Sequence, residues 1–176
     1  MITGPRQVGK TTMLRQLMEN NRHYVTLDDM EERKMAKEDP VLFLSLHPIP
    51  VLIDEVQYAP ELFSYIKIEI DSGAAPGSFW LTGSQESLAG RIAIFHLTAL
   101  SQHEMYGSGE NTPFTLELSK LQERAKRGTR TDVHGIYQRI WNGSMPGMAS
   151  GKYTNRETFY SSYLQSYIER DVSDMA

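Results

Sequence analysis

Cysteine is absent from the 176-residue sequence. Its absence excludes disulfide bonds, thiolate zinc sites and cysteine nucleophiles, and it is compatible with a reducing compartment. Long hydrophobic runs are absent as well, because the longest stretches without Asp, Glu, Lys or Arg are residues 40–53 and 72–85, with 14 residues each. A helix needs about 18 apolar residues to cross a bilayer, and the first residues show no secretion signal. We therefore expect a cytoplasmic protein with no membrane segment.

An excess of positive charge is also missing. Lys and Arg total 18 and Asp and Glu total 22, which gives a net charge of −4 and disfavours a surface that binds nucleic-acid phosphates throughout. Residues 120–139 nevertheless carry six basic side chains and two acidic ones, a pattern that fits either a solvated helix face or a nucleic-acid contact. The five histidines include no pair at helical i, i+4 spacing, so a zinc site is disfavoured.

A glycine-rich motif begins at residue 4. Residues 4–11 match the pattern G-x-x-x-x-G-K-[ST], a loop whose backbone N–H groups surround nucleotide phosphates. Lys10 offers an ammonium group to the β and γ phosphates, Thr11 is a candidate Mg²⁺ ligand, and the helix predicted to follow favours an anion at its N-terminus. The alternative is a surface turn that matches by chance. The expected nucleotide contacts are Gly4, Pro5, Arg6, Gln7, Val8, Gly9, Lys10, Thr11 and Thr12.

Two adjacent acids follow a short apolar run, 44 residues after Lys10. Residues 50–55 read Pro-Val-Leu-Ile-Asp-Glu, which is typical of a buried parallel strand that delivers acids to its carboxyl end, where nucleotide sites lie. Asp54 would hold Mg²⁺, directly or through water, and Glu55 would polarise the water that attacks the γ-phosphate. The alternative is a strand that ends in a solvated acidic turn.

A third apolar run, residues 79–81, is followed by the small residues Thr82, Gly83 and Ser84, which is typical of a strand that ends in a turn. We expect Thr82 or Ser84 to contact the γ-phosphate or the attacking water, and we place Ser84 among the nucleotide-binding residues. An ordinary Thr-Gly-Ser turn is the competing interpretation.

Strand and helix patterns alternate through the first hundred residues. The expected helices cover residues 9–20, 30–37, 41–46 and 60–70, and the expected strands cover 24–27, 51–54, 79–82 and 92–97. This alternation predicts an α/β fold with a parallel sheet flanked by helices, that is, a P-loop NTPase core over residues 1–100 with a truncated first strand. Residues 101–176 are predicted to be mainly helical, with helices at 116–126, 132–141 and 155–172.

Taken together, the motifs resemble those of a large family of prokaryotic AAA-like P-loop ATPases, relatives of the archaeal and signalling-type ATPases. The likeness rests on the phosphate loop, on residues 53–57 and 81–84, and on stretches at 87–91, 141–146 and 167–172, so it covers nearly the whole chain. The resemblance implies that Arg91 stabilises transition-state charge or reports on the nucleotide; the competing interpretation is a structural ion pair.

The sequence departs from that family in three places. Only three residues precede Gly4, where family members have a helix and a full strand, and the segment between Gln85 and Glu86 is shorter than usual. A C-terminal domain of unknown function, typical of the family, is not seen. These departures predict an ATPase module of a longer protein.

The leading functional hypothesis is a Mg²⁺-dependent ATP hydrolase with Glu55, Lys10 and Arg91 as catalytic residues, Thr11 and Asp54 as metal ligands, and ATP and Mg²⁺ bound. The alternative is a nucleotide-gated regulatory switch or a DNA-associated module with little turnover of its own. A GTPase is disfavoured because the guanine-reading Asn-Lys-x-Asp motif does not occur. A protein partner or a homo-oligomer is compatible with the sequence.

Overall fold

The computed structural model describes residues 1–83, 92–105, 115–128 and 130–167. The chain divides into two compact units, residues 1–98 and residues 99–176.

The first unit is built on a five-stranded parallel sheet. The strands are β1 (Ile2–Thr3), β2 (His23–Thr26), β3 (Val51–Asp54), β4 (Phe79–Gly83) and β5 (Phe95–His96). They lie side by side in the order β2-β3-β4-β1-β5, and each described strand pair is parallel. Parallel neighbours need crossover connections, and helices supply them here. The predicted α/β fold with a parallel sheet is therefore confirmed.

Two helices of this unit begin after aspartates that accept hydrogen bonds from free backbone N–H groups. The Asp29 carboxylate accepts from the N–H groups of Glu31 and Glu32, and the Asp39 carboxylate accepts from Leu42 N at 2.9 Å. Such caps replace the hydrogen bonds that the first turn of a helix lacks. The helices are α1 (Lys10–Leu17), α2 (Met30–Glu38), α3 (Pro40–Leu46) and α4 (Leu62–Asp71), and a 3₁₀ turn covers Val56–Tyr58.

Strand β3 is buried on both faces of the sheet. Ile53 belongs to a core cluster with Phe43 of α3 and Ile66 of α4, whereas Leu52 packs in a second cluster with Leu14 of α1. Because successive side chains of a strand point to opposite faces, this alternation places helices on both sides of the sheet. The apolar run 51–53 thus anchors the centre of the unit, with Asp54 at its carboxyl end.

The strand expected over residues 92–97 is shorter than predicted. Only Phe95 and His96 form β5, and they pair with Ile2 and Thr3 of β1. Strand β1 offers just these two residues for pairing, which limits the length of its neighbour. Phe95 is 65% exposed, as an edge strand allows.

The second unit is helical in its described residues, which confirms the predicted helical C-terminal part. Phe159 is buried against the rings of Tyr153 and Tyr160, each with its centroid 5.0 Å away. The apolar side chains of the helix at Val133–Asn142 stay largely exposed, with Ile140 at 70%. The helices are α5 (Gln102–Met105), α6 (Leu118–Arg127), α7 (Val133–Asn142), α8 (Pro146–Ala149) and α9 (Arg156–Tyr167).

In the described part of the chain, no helix combines the length and the apolar character that crossing a bilayer requires.

Candidate functional site

The glycine-rich motif forms the connection between β1 and α1. Gly4 and Gly9 have φ angles of 139° and 95°, in the region that favours glycine, and Gln7 also has a positive φ of 60°. A Cβ added to Gly4 would overlap the carbonyl oxygen of Leu97, whereas a Cβ on Gly9 would meet no atom within 4 Å. Gly4 is therefore required for space as well as conformation, and Gly9 leaves open space beside the start of α1.

Lys10 folds back over this loop. Its side chain is largely buried, with the residue 6% exposed, and Nζ donates to the carbonyl oxygens of Gly4 at 2.8 Å and Pro5 at 2.9 Å. A buried ammonium group inside a loop of backbone amides is a fitting environment for an anion, since the cation and the N-terminus of α1 both attract negative charge. The loop residues thus fit a phosphate group.

The remaining loop residues divide between the interior and the surface. Val8 is buried at 5% exposure, and Arg6 donates from Nη2 to the Tyr58 hydroxyl at 3.2 Å. The side chains of Pro5, Gln7 and Thr12 are exposed.

Asp54 is the meeting point of three hydroxyl groups. It is 5% exposed, and its carboxylate accepts hydrogen bonds from Thr11 Oγ1 at 2.9 and 3.0 Å, from the Tyr24 hydroxyl at 3.1 Å and from Thr82 Oγ1. A buried carboxylate needs such partners because burial without them is unfavourable. The structure thus brings together Thr11 and Asp54, which the motifs predicted as neighbours.

Tyr24 is a residue of this site that the sequence analysis missed. It lies on β2, which pairs with β3, and Arg15 stacks over its ring at 4.5 Å. Burial, and then the negative charge of Asp54, raise the pKa of the Tyr24 phenol. The phenol therefore stays protonated and donates its hydrogen to the carboxylate. The sequence shows a tyrosine inside a predicted strand, but which residue its side chain meets depends on the register between the strands.

Thr82 ties the ends of β3 and β4 together. Its side chain is fully buried, donates to Asp54, and accepts from the backbone N–H of Glu55 at 3.0 Å. Its hydroxyl therefore contacts the Asp54 carboxylate and the Glu55 backbone, and the expected contact of Thr82 with the γ-phosphate or the attacking water stays a prediction. Ser84 and Arg91, the other residues predicted for this region, lie outside the described residues.

Glu55 occupies a different environment from its neighbour Asp54. It is half-buried, has a positive φ of 57°, and its carboxylate accepts a hydrogen bond from Gln57 Nε2 on the following 3₁₀ turn. One acid is enclosed by hydroxyl groups and the other is partly open to solvent.

The donor set also fits a magnesium ion. Mg²⁺ prefers oxygen ligands and commonly uses one or two carboxylates or hydroxyls together with substrate phosphates. Thr11 Oγ1 and the Asp54 carboxylate supply such oxygens side by side. The described residues hold no group of three or more His, Asp or Glu positioned for a metal, so a metal here would rely on these two residues and on the phosphates.

The fold and the site define the class of the protein: a parallel α/β sheet whose first strand leads through a glycine-rich loop into a helix, the arrangement of the P-loop NTPases. The family comparison agrees, because a family model described as "AAA domain" matches residues 1–106. The chain belongs to this AAA domain family, which places it among nucleotide-binding ATPases as a class.

Two curated relatives match almost the whole chain. They are the "Uncharacterized protein Rv2008c" of Mycobacterium tuberculosis and the "Uncharacterized protein Mb2031c" of Mycobacterium bovis. Each is 25% identical over 189 residues, which covers 99% of this chain and 36% of the relative. The chain therefore spans about a third of the length of these relatives.

Proposed function

We propose that the site binds ATP with Mg²⁺ and hydrolyses the bond to the γ-phosphate. The observation that carries the proposal is the contact between Thr11 of the glycine-rich loop and Asp54 at the end of β3. These residues are 43 positions apart, and their contact joins a phosphate-binding loop to a carboxylate that suits a metal.

Lys10 and the loop N–H groups would bind the phosphates. In the structure the ammonium of Lys10 is held by the Gly4 and Pro5 carbonyl oxygens, which are neutral and exchange readily for a charged partner. Phosphate oxygens would therefore replace these carbonyls. Mg²⁺ bound by Thr11 and Asp54 would supply positive charge to neutralise the phosphate oxygens.

Glu55 would act as the general base. Its carboxylate is half-buried beside the buried Asp54, so it can reach a water molecule without giving up its place in the turn. The water loses a proton to Glu55, its oxygen bonds to the γ-phosphorus, and the bond from phosphorus to the bridging oxygen of ADP breaks. Ser84 is proposed to contact the γ-phosphate or the attacking water, because it follows the end of β4. Arg91 is proposed to stabilise transition-state charge or to report on the nucleotide, as the family resemblance implies.

We further propose that residues 1–100 form the nucleotide-binding core and residues 101–176 the helical part of one ATPase module. A protein partner or a second copy would couple the cycle to its biological output.

ATP hydrolysis tests the assignment with two variants and two matched controls. We expect Glu55→Gln to lower kcat about 100-fold or more with ATP affinity retained. We expect Lys10→Ala to weaken ATP binding at least about tenfold, since a charge-assisted hydrogen bond is lost. Glu69→Gln and Lys67→Ala, exposed residues of α4, serve as controls and should change neither quantity.

Turnover distinguishes the hydrolase from the alternative switch. A hydrolase stimulated by its partner or by DNA should exceed roughly 1 per second, whereas a switch holds its nucleotide and turns over far more slowly. Full hydrolysis by Glu55→Gln would refute the proposed base.

A further inference from the structure

Gln57 lies next to the proposed base and takes no direct part in the proposed hydrolysis. It is carried by the 3₁₀ turn Val56–Tyr58, which follows Glu55 directly. This turn is firmly held, because Val56 and Ala59 are fully buried and Ala59 N bonds to the Val56 carbonyl oxygen at 3.1 Å. The Gln57 side chain therefore starts from a fixed backbone.

The two ends of the Gln57 amide face different partners. Nε2 donates to Glu55 Oε2, whereas Oε1 is buried and has no hydrogen-bond partner in the part of the chain that the structure describes. A carboxylate only accepts hydrogen bonds, which fixes the amide with its NH₂ group toward Glu55. A buried carbonyl oxygen without a donor is unfavourable and is rarely kept without a reason.

The unpartnered oxygen rests against the end of β4. A Cβ built on Gly83 would lie 2.7 Å from Gln57 Oε1, so the amide fills the space that a larger residue would occupy. Gly83 thus provides the room that lets Gln57 reach Glu55. The end of β4, the amide and the carboxylate form one chain of contacts.

We propose that Gln57 is a positioning residue for Glu55, and that Gly83 is kept small to admit it. This inference rests on the proposed ATP hydrolysis. An amide donor can hold one oxygen of the carboxylate without neutralising its charge, and a carboxylate accepts further hydrogen bonds, so the base stays able to take a proton from water. Gln57 therefore orients the base and does not itself bind the nucleotide.

The first test is Gln57→Met, which keeps the size of the side chain and removes the donor. We expect kcat for ATP to fall about tenfold, while the Kd for ATP measured by calorimetry stays within about twofold of the wild-type value. Gln138→Ala, at an exposed glutamine of α7, is the matched control and should leave both values unchanged. An unchanged kcat, or a kcat that rises because the amide restrains the base, would overturn the proposal.

The second test changes Gly83, the last residue of β4, which lies against the Gln57 amide. In Gly83→Ala the new methyl group can displace the end of the flexible Gln57 side chain, so the protein should fold and lose kcat in the same way. If both substitutions act through one contact, the double variant should be no slower than Gln57→Met alone. Independent, multiplying losses would contradict the proposed chain of contacts.

Glu55→Gln is assayed in parallel to separate this inference from the proposed function. If Glu55→Gln stops hydrolysis and Gln57→Met does not slow it, only the role of Gln57 fails. If the wild-type protein does not hydrolyse ATP, both fail.

Discussion

Replacement of Gly4 by alanine tests the conformation of the glycine-rich loop. Gly4 has a φ of 139°, and its Cβ position is taken by the carbonyl oxygen of Leu97 next to β5. Holding a non-glycine residue in such a conformation costs about 1–3 kcal/mol. Forcing the Leu97 backbone away adds about 1–3 kcal/mol. We therefore expect Gly4→Ala to reduce the free energy of unfolding by about 2–6 kcal/mol, a large share of the roughly 5–15 kcal/mol of a typical domain.

Gly73→Ala is the matched comparison for this variant. Gly73 also has a positive φ, 106°, but a Cβ there would meet nothing within 4 Å. Only the backbone strain of about 1–3 kcal/mol should then appear. The two variants should therefore differ by about 2 kcal/mol in their free energy of unfolding, and this difference measures the close approach of Gly4 to Leu97.

Urea unfolding followed by tryptophan fluorescence measures both variants. The sequence has two tryptophans, Trp80 on β4 and Trp141 on α7. In a Trp141→Phe background the signal comes from Trp80 alone and reports on the unit that contains the loop. Equal destabilisation by Gly4→Ala and Gly73→Ala, within about 0.5 kcal/mol, would refute the close approach.

Two further substitutions test side-chain contacts at opposite ends of the strands. Tyr24→Phe removes one of the hydroxyl donors to Asp54. Urea unfolding should show that the free energy of unfolding falls by about 1 kcal/mol, since the bond is to a charged group but is partly exposed. An unchanged free energy of unfolding would show that this bond contributes nothing. Arg22→Met removes a buried guanidinium that donates to the Gly77 carbonyl at 2.9 Å and stacks on Trp80 at 4.0 Å. It should cost about 2–3 kcal/mol and leave the Kd for ATP unchanged, because this end of the sheet is opposite the site; weaker ATP binding by a folded variant would contradict that separation.

The sequence motifs predicted the part of the site that depends on local patterns. The glycine-rich loop is identified by its own spacing, and an apolar strand that ends in Asp54 is recognisable from its composition. Because carboxyl ends of parallel strands meet at one edge of a sheet, the contact between Thr11 and Asp54 follows from the predicted fold.

The contacts that cross between strands could not be predicted in this way. Tyr24 and Thr82 reach Asp54 only because β2 and β4 lie on either side of β3, and strand order and register are not encoded in motif spacing. The link from Gln57 to Glu55 depends on the positive φ of Glu55, which a glutamate rarely adopts. These details are set by tertiary packing.

Calorimetry of ATP binding in the presence of Mg²⁺ tests the central claim most directly. The folded wild-type protein, checked by circular dichroism, should bind one ATP per chain, and Lys10→Ala should bind at least about tenfold more weakly. Absence of ATP binding by the folded wild-type protein, or equal affinity for the two proteins, would contradict a nucleotide site at the glycine-rich loop.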